Sequence, residues 1–342
     1  MSNIKTPGVY IQEISTLPAS VAAVETAIPA FIGYTEFAGT QDDPFLLNVP
    51  TRITSLLEYI QYFGGPNAED IGIDLHEIYE KIDDDNQNVF VSRTIKAKLA
   101  ESAISDFKLF YSLQMFFANG GGPCYIVSVG DYSSGDAVKG TVEPKVGLLG
   151  GLTALEKSDE PTLLVFPDDM TISDYKSVYD AALAQCAKLQ DRFTIMDLKV
   201  ESKPSDDAKS FRDNGIGIDN LKYGAVYYPK LQTDLNYGFD ETGITINHVS
   251  VNTTSGIIAP TDYQGKKLSK PDDNTGVKED DPALYRAMIT EINKLFVKMA
   301  PGGAIAGVYA RVDSQRGVWK APANVSLNRV IAPTVKVTAL QQ

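Results

Sequence analysis

Histidine, cysteine and tryptophan are scarce in this chain. Its 342 residues include two histidines, two cysteines and one tryptophan. No cysteine or second histidine stands at ligand spacing from His76 or His248, which argues against a Cys/His zinc site, and neither histidine is accompanied by the G-x-S-x-G turn of a serine hydrolase. Cys124 and Cys186 each lie beside apolar residues, so we expect two buried thiols in a reducing compartment.

Positive charge and long apolar runs are also lacking. The 31 Lys and Arg residues are outnumbered by 44 Asp and Glu residues, and the formal net charge is -13. Without a basic cluster we expect neither nucleic acid nor an anionic membrane surface as a partner. No apolar run approaches the roughly 18 residues that cross a bilayer, and residues 1–12 have no apolar core, so we expect no membrane insertion and no cleavable signal.

Two segments match metal- or phosphate-binding loops poorly. The glycines at 120–122 are followed by Pro123 and Cys124, where a phosphate-binding loop needs Lys and Ser or Thr, so we expect them to end a helix. Residues 83–86 look like the start of a calcium loop. Asn88 and Thr94, however, stand where an EF-hand has its glycine and its bidentate glutamate, and a solvated loop is the better interpretation.

Asp168 and Asp169 are the strongest enzymatic candidates. They follow a predicted strand at 162–166, and open α/β sheets bind ligands at the carboxyl ends of their strands. In the sequence, no lysine or second acidic strand end visibly joins them. An α/β enzyme that uses Asp168 and Asp169 with a metal or a nucleotide therefore remains an alternative function.

The first thirty residues predict an extended arm. Pro7 and Pro18 bracket a β-prone segment that has no hairpin partner at turn distance, and an isolated strand must pair with a remote segment or with another chain. The residues that we expect to form a strand lent to a neighbouring subunit are Val9, Tyr10, Ile11, Gln12 and Glu13. The alternative is a strand that folds back onto its own sheet.

Hydrophobic periodicity predicts an α/β fold: a mixed sheet with βαβ units and helices on its faces, an inserted α+β subdomain and the N-terminal arm. The clearest unit is a strand at 163–166, a helix at 173–189 and a parallel strand at 193–196. Further strands are expected at 31–34, 124–129, 224–228, 304–309 and near 257–258. Further helices are expected near 55–63, with Ser55 as its cap, at 97–117 and from 282 to 300.

Composition and element order predict three segments. They are the arm at 1–30, an α+β subdomain at 31–150 with an exposed acidic insertion at 67–96, and an α/β core at 151–328. Residues 130–151 are expected to be a connector, and residues 231–280 mostly long loops.

Five blocks of sequence, in order along nearly the whole chain, resemble the tail sheath proteins of contractile phages and phage-like injection systems. They lie at 6–11 (TPGVYI), 48–55 (NVPTRITS), 116–125 (FFANGGGPCY), 225–229 (AVYYP) and 313–324 (DSQRGVWKAPAN). The last block is the longest and the most specific. One position departs from the pattern, because Lys230 follows the fourth block where relatives often carry Trp.

The resemblance implies a structural subunit with no cofactor. Such subunits stack as hexameric rings around an inner tube protein, meet baseplate and terminator proteins, and contract to drive the tube through a target envelope. The implied location is the bacterial cytoplasm during assembly, then a virion tail or an injection particle. Sheath proteins usually continue into a tube-facing C-terminal domain, so the resemblance implies that residues 329–342 are the start of such a domain. We expect a shortened form of a longer protein, with residues 334–339 as a strand whose partner is absent. The alternative is a short variant of the family that works differently.

Arg316, Trp319 and Lys320, within the last block, have two interpretations. They form a subunit contact, since Arg and Trp are favoured at interfaces, or a cation–π pair that braces the end of the last sheet strand. Seventeen tyrosines leave a third function open, that of a monomeric adhesion module.

Overall fold

The computed structural model describes residues 26–39, 43–81, 88–99, 104–198, 203–253, 261–269 and 276–338. Its largest sheet has six strands: β1 (Pro29–Thr35), β2 (Thr51–Ile53), β5 (Cys124–Asp131), β6 (Leu163–Val165), β7 (Phe193–Asp197) and β8 (Gly224–Tyr227). Their order in the sheet is β2-β5-β1-β6-β7-β8. All neighbouring pairs are parallel except β2 with β5. The predicted mixed α/β fold is confirmed.

Helices cover both faces of this sheet, because its strands are apolar at successive positions. On one face, Ile32 and Leu164 pack with α3 (Gly147–Leu155) and α4 (Ile172–Leu189). On the other, Phe31 and Val165 pack with α1 (Leu56–Phe63), α2 (Leu109–Ala118) and α8 (Gly302–Arg316). The predicted βαβ unit is β6-α4-β7, and its strands are parallel as expected.

The predicted cap of α1 is also present. The Ser55 side chain accepts a hydrogen bond from the Glu58 amide, at 3.3 Å. The Glu58 carboxylate accepts one from the Thr54 amide at 2.6 Å. These bonds satisfy backbone donors that a helix start leaves free.

The strand predicted at 304–309 is wrong, because this segment lies within helix α8. Its glycines and alanines gave no helical apolar stripe, yet they allow α8 to approach α2 closely. A Cβ added to Gly307 would lie 2.5 Å from the carbonyl oxygen of Phe116, and one added to Gly303 would lie 2.2 Å from Ser112 Oγ. Small residues therefore serve here as helix-packing positions.

The acidic segment at 67–96, predicted as a surface-exposed insertion, supplies most of a long hairpin. Its strands are β3 (Ile71–Lys81) and β4 (Asn88–Leu99), and β10 (Ile246–Asn252) pairs with β3 in parallel. Helix α7 (Pro282–Ile292) packs on the apolar face of this sheet. The helix predicted from residue 97 begins only at 109, because residues 97–99 complete β4.

A third sheet has the order β11-β9-β12, with β9 (Leu231–Asn236), β11 (Phe296–Met299) and β12 (Val330–Pro333). Two further predictions differ from the structure. The helix from 282 ends at 292 and a strand follows, and the connector at 130–151 contains the start of α3. Residues 334–338, predicted to belong to an unpaired strand, form no strand pairing among the described residues. The strand predicted near 257–258 lies outside the described residues.

The segments predicted as separate units, 31–150 and 151–328, share the six-stranded sheet. Strand β1 lies between β5 of the first segment and β6 of the second. The remaining helices are short: α5 (Pro204–Ser210) and α6 (Val277–Asp280). No helix in the described ranges is long and apolar enough to span a bilayer.

Candidate interaction site

Asp168, the first enzymatic candidate, is fully buried, and its carboxyl group caps the start of helix α2 inside the protein. Its Oδ1 accepts hydrogen bonds from the amides of Lys108 at 2.8 Å and Leu109 at 3.1 Å, at the start of α2. Its Oδ2 accepts one from the amide of Tyr34, at 2.8 Å. Gly33 leaves room for this carboxyl, since a Cβ there would lie 2.6 Å from Asp168 Oδ2. Burial raises the pKa of Asp168 to about 7, although the three amide bonds oppose the shift.

Asp168 occupies the position at this sheet edge where a bound anion would meet the start of α2. Ligands of doubly wound folds bind between the carboxyl ends of central strands, often at a helix N-terminus. Here that position lies between β1 and β6, beside the N-terminus of α2, and the chain fills it with its own carboxyl group. The Asp168 side chain is thus engaged on both oxygens by the backbone.

Asp169 has an acidic strand end and a lysine nearby, neither of which was evident from the sequence. Lys230 Nζ lies 2.6 Å from Asp169 Oδ1. Asp197 ends β7 and is buried, and its Oδ1 accepts a hydrogen bond from the Gly302 amide at 2.9 Å. Desolvation raises the pKa of Asp197 to about 7, and its Oδ2 has no hydrogen-bond partner among the described residues. No cluster of three or more metal-ligating side chains occurs within the described ranges.

His248 is engaged at both ring nitrogens. Its Nε2 lies 3.1 Å from Glu77 Oε2, and its Nδ1 accepts a hydrogen bond from the Tyr263 amide at 3.3 Å. The tautomer consistent with both contacts is neutral and donates from Nε2. Glu77 also accepts from Arg93 Nε and from the Tyr79 hydroxyl, both at 2.6 Å. The group braces the β3-β4-β10 sheet and leaves His248 no free nitrogen for proton transfer.

A surface cavity of about 480 Å³ lies where two of the resembling blocks meet. Its walls are the turn after α2, the C-terminal half of α8 with the loop that follows, and the residues just before β1. The Thr26 hydroxyl donates to Asp313 Oδ2 at 3.1 Å and ties two of these walls together. The lining residues are Thr26, Ala27, Gly120, Gly122, Pro123, Ala310, Asp313, Ser314, Gly317 and Val318.

The single tryptophan lies in the loop that contributes to this cavity, and it is exposed. Trp319 is 80% exposed and Val318 is 66% exposed. Gly317 has a φ of +90°, and its Cα lies so close to the indole that an added Cβ would be 2.9 Å from Trp319 Nε1. A glycine is therefore needed for the turn that presents the ring outward. Adjacent exposed apolar side chains of this kind mark interaction surfaces.

The cation–π alternative for this segment has no supporting contact among the described residues. No Lys or Arg side chain lies over the Trp319 ring among the described residues, and the segment follows a helix rather than a strand. Lys320 Nζ instead donates to the carbonyl oxygen of Ala321 at 2.8 Å. Arg316, the last residue of α8, is exposed. Arg316, Trp319 and Lys320 thus remain predicted contact residues.

The predicted lent strand, Val9, Tyr10, Ile11, Gln12 and Glu13, lies outside the described residues. Strand edges that could pair with such a segment are present elsewhere. In the described part of the chain, β4 is a twelve-residue edge strand, and β2 and β8 end the six-stranded sheet. Neither this open edge of β4 nor the cavity beside Trp319 could be located from sequence periodicity.

Comparison with known proteins finds similarity to solved structures only. No protein-family model and no curated protein matches the chain. A chain of the anti-feeding prophage baseplate, 6-fold symmetrised, is 23% identical with a TM-score of 0.46, and the match covers 99% of this chain and 61% of that one. A chain of the anti-feeding prophage helical sheath in the contracted state is 22% identical, with the same coverage and TM-score.

A third similar chain comes from the PVC sheath complex of an extracellular contractile injection system in the contracted state. It is 22% identical with a TM-score of 0.46, and the match covers 100% of this chain and 60% of that one. The present chain therefore spans about 61% of the length of the first of these chains.

Proposed function

We propose that this chain is a structural subunit of a contractile tail sheath. In this proposal the subunits polymerise as stacked hexameric rings in a helical sheath around an inner tube, and contraction drives the tube through a target envelope. Baseplate and terminator proteins are the further partners. The chain assembles in the bacterial cytoplasm and then functions in a virion tail or an injection particle, with no cofactor.

The observation that carries the proposal is the convergence of separate resembling blocks on one exposed surface. The blocks at 116–125 and 313–324 are far apart in sequence, yet both contribute residues to the cavity beside Trp319. A fold that needed these residues only for its core would bury them. The exposed Trp319 and Val318 are instead of the type that anchors protein interfaces.

Open strand edges support a mechanical role by a second route. A strand lent by one subunit to an edge of another adds backbone hydrogen bonds, while its flexible root allows rigid subunits to rotate. Val9, Tyr10, Ile11, Gln12 and Glu13 form the proposed lent strand. The edges of β4, β2 and β8 are the candidates to receive it.

Electron microscopy of the full-length protein with its tube partner tests the proposal. We expect rings or tubes with a regular axial repeat. Persistent absence of ordered assemblies, with a protein that stays monomeric when concentrated, would favour the adhesion module. A melting temperature that rises with a metal ion or a nucleotide, and a turnover that disappears in Asp168→Asn or Asp169→Asn, would favour the enzyme.

A further inference from the structure

Helix α8 connects a buried carboxyl group at one end with the cavity beside Trp319 at the other. The amide of its first residue, Gly302, donates a hydrogen bond to Asp197 Oδ1 at 2.9 Å. The C-terminal half of α8 and the loop that follows form a wall of the cavity, with Asp313 and Val318 among the lining residues. A change in how the helix is held at Asp197 therefore reaches the surface that we propose as a subunit contact.

The Asp197 carboxyl group is satisfied on one oxygen only. The residue lies at the end of β7 and is 2% exposed. Its Oδ2 has no hydrogen-bond partner among the described residues. This oxygen lies against the first turn of α8, since a Cβ added to Gly302 would be 2.5 Å from it. A buried carboxylate needs donors for both oxygens, whereas a protonated carboxyl needs fewer. The two protonation states of Asp197 therefore favour different surroundings for Oδ2.

The start of α8 supplies further donors next to this carboxyl group. The first backbone bond of the helix joins the Ile305 amide to the Pro301 carbonyl oxygen at 3.0 Å. The amides of Gly303 and Ala304 precede that bond, and the first amides of a helix have no acceptor within it. A helix N-terminus also carries a partial positive charge, which favours an anion beside it. Ionisation of Asp197 therefore draws the first turn of α8 toward the carboxylate, and protonation removes this attraction.

The strand side of this contact is fixed, so the helix is the part that moves. The Tyr179 hydroxyl donates to the Asp197 carbonyl oxygen at 3.2 Å and accepts from the Asp197 amide at 3.0 Å, which ties the end of β7 to α4. At Gly303 and Gly307, α8 meets α2 without a side chain of its own, so no ridge of α8 interlocks with α2 there. Helices shift as rigid bodies, and a displacement at the start of α8 therefore moves the cavity wall.

Charged and titratable groups on the neighbouring elements act on the same carboxyl group. Burial raises the pKa of Asp197 to about 7; the Gly302 amide opposes this shift, Asp169 after β6 adds to it, and Lys230 before β9 opposes it. The first turn of α8 has no acidic side chain. Burial also raises the pKa values of three tyrosine hydroxyls that interact with the Asp197 charge, so these hydroxyls stay neutral. They belong to Tyr175 and Tyr179 on α4 and to Tyr227 on β8.

We propose that Asp197, by gaining or losing a proton, controls how helix α8 is held on the sheet and thereby sets the shape of the cavity beside Trp319. With the carboxyl protonated, the Gly302 amide is its one contact with α8. With the carboxyl ionised, the first turn of α8 closes onto it and the cavity wall follows. This inference rests on the proposed function, because it assigns a pH dependence to the surface proposed there as a subunit contact.

Trp319 is the only tryptophan, and it lies in the loop after α8, so its emission reports on the far end of the helix. We expect the emission maximum of the dilute full-length protein to change with pH along a single titration curve centred at about pH 7. Asp197→Asn holds the side chain neutral and should abolish this change. The matched control is Asp234→Asn, at an exposed ion pair, which should titrate like the parent. Circular dichroism at each pH confirms that both variants are folded.

Lys230→Met leaves the Asp197 carboxyl in place and tests the charge balance around it. Because Lys230 favours ionisation of Asp197, its removal should move the midpoint of the emission change to higher pH, by up to about one pH unit. Lys209→Met is the matched control, since it breaks an exposed Lys–Asp pair with Asp213. It should leave the midpoint where it is. This variant pair decides the question even if Asp197→Asn does not fold.

Two results would overturn the inference. One is a Trp319 emission that does not change between about pH 5 and about pH 9. The other is an emission change that persists in folded Asp197→Asn, or whose midpoint is the same in Lys230→Met as in the parent. Ordered tubes from a chain whose emission fails these tests would refute this inference alone. A titration that passes them, in a chain that never forms rings or tubes, would refute the sheath function alone.

Discussion

Replacement of Asp168 tests whether its carboxyl group has a structural or a catalytic role, because the two roles predict different effects on stability and on turnover. Asp168→Ala leaves the buried amides of Tyr34, Lys108 and Leu109 without an acceptor. Each unpaired buried donor costs about 1–3 kcal/mol, so the upper bound is about 9 kcal/mol. Local relaxation and entry of water reduce this figure, and we expect a loss of about 4 kcal/mol. That is a large part of the roughly 5–15 kcal/mol that stabilises a typical protein.

Asp168→Asn should be milder. Its oxygen can accept from Lys108 and Leu109, while its amide group faces the Tyr34 donor, so one buried amide is lost at a cost of about 1–3 kcal/mol. The matched control is Asp234→Ala. Asp234 forms an exposed ion pair with Arg329 at 2.8 Å, and loss of such a pair costs about 0–1 kcal/mol.

Urea unfolding near pH 5.5 gives the comparison, because the raised pKa of Asp168, about 7, leaves its carboxyl largely protonated there. The expected order of stability loss is Asp168→Ala, then Asp168→Asn, then Asp234→Ala. If the free energies of unfolding of all three variants lie within about 1 kcal/mol of the parent value, then the Asp168 carboxyl does not stabilise the start of α2 as described. A stable Asp168→Asn protein that has lost a measurable turnover would point to the enzyme.

Three further predictions follow from buried groups. Asp168 and Asp197 both have a pKa raised to about 7 by burial, whereas the pKa of an unfolded Asp is about 3.9. Between these two pH values the native state therefore binds more protons than the unfolded state. The free energy of unfolding should therefore fall as pH rises from about 4 to about 7, by at most about 1.4 kcal/mol per pH unit for each group. In urea unfolding, Asp197→Asn should make this fall with pH shallower. The exposed control Asp234→Asn should leave it unchanged. Gly307→Ala should lower the melting temperature, because the added methyl would lie 2.5 Å from the Phe116 carbonyl oxygen and overpacking costs about 1–3 kcal/mol. An unchanged or higher melting temperature would contradict this, because it would show that α2 and α8 can move apart at no cost. Glu77→Leu should destabilise the protein by about 3 kcal/mol, because it leaves Arg93, Tyr79 and His248 without their shared acceptor. Urea unfolding of this variant and of the exposed control Glu279→Leu checks the prediction. Equal urea midpoints for the two variants would contradict it.

The elements with strong periodicity could be predicted from the sequence. Helix α4 has a clear apolar face, and strands β6 and β7 on either side are short and apolar. The order strand, helix, strand fixes a parallel pair because the crossover places both strands in the same direction. Ser55 and Glu58 likewise marked the start of α1, since their spacing is that of a capping box.

Two kinds of element could not be predicted. Helix α8 owes its place to close packing against α2, and its glycines and alanines give no apolar period of their own. The β3-β4 hairpin places Glu77 on its buried face, where Arg93 and His248 satisfy it, so the alternation of apolar and polar residues is interrupted. In both cases tertiary contacts decide the structure.

The role of Asp168 depends on residues distant in sequence. Its partners at Tyr34 and Lys108 are 134 and 60 positions away, so only the fold shows that the carboxyl is already engaged. The same holds for Lys230, which pairs with Asp169 across 61 positions. The cavity beside Trp319 is built from three remote segments, and its sequence signal was limited to the resembling blocks.

Sedimentation velocity of the full-length chain and of a chain without residues 1–15, each over a range of concentrations, tests most directly whether copies join through the arm. We expect the full chain to form concentration-dependent oligomers and the shortened chain to stay monomeric with an unchanged melting temperature. Equal oligomers from both chains, or a shortened chain that melts far below the parent, would contradict a lent arm.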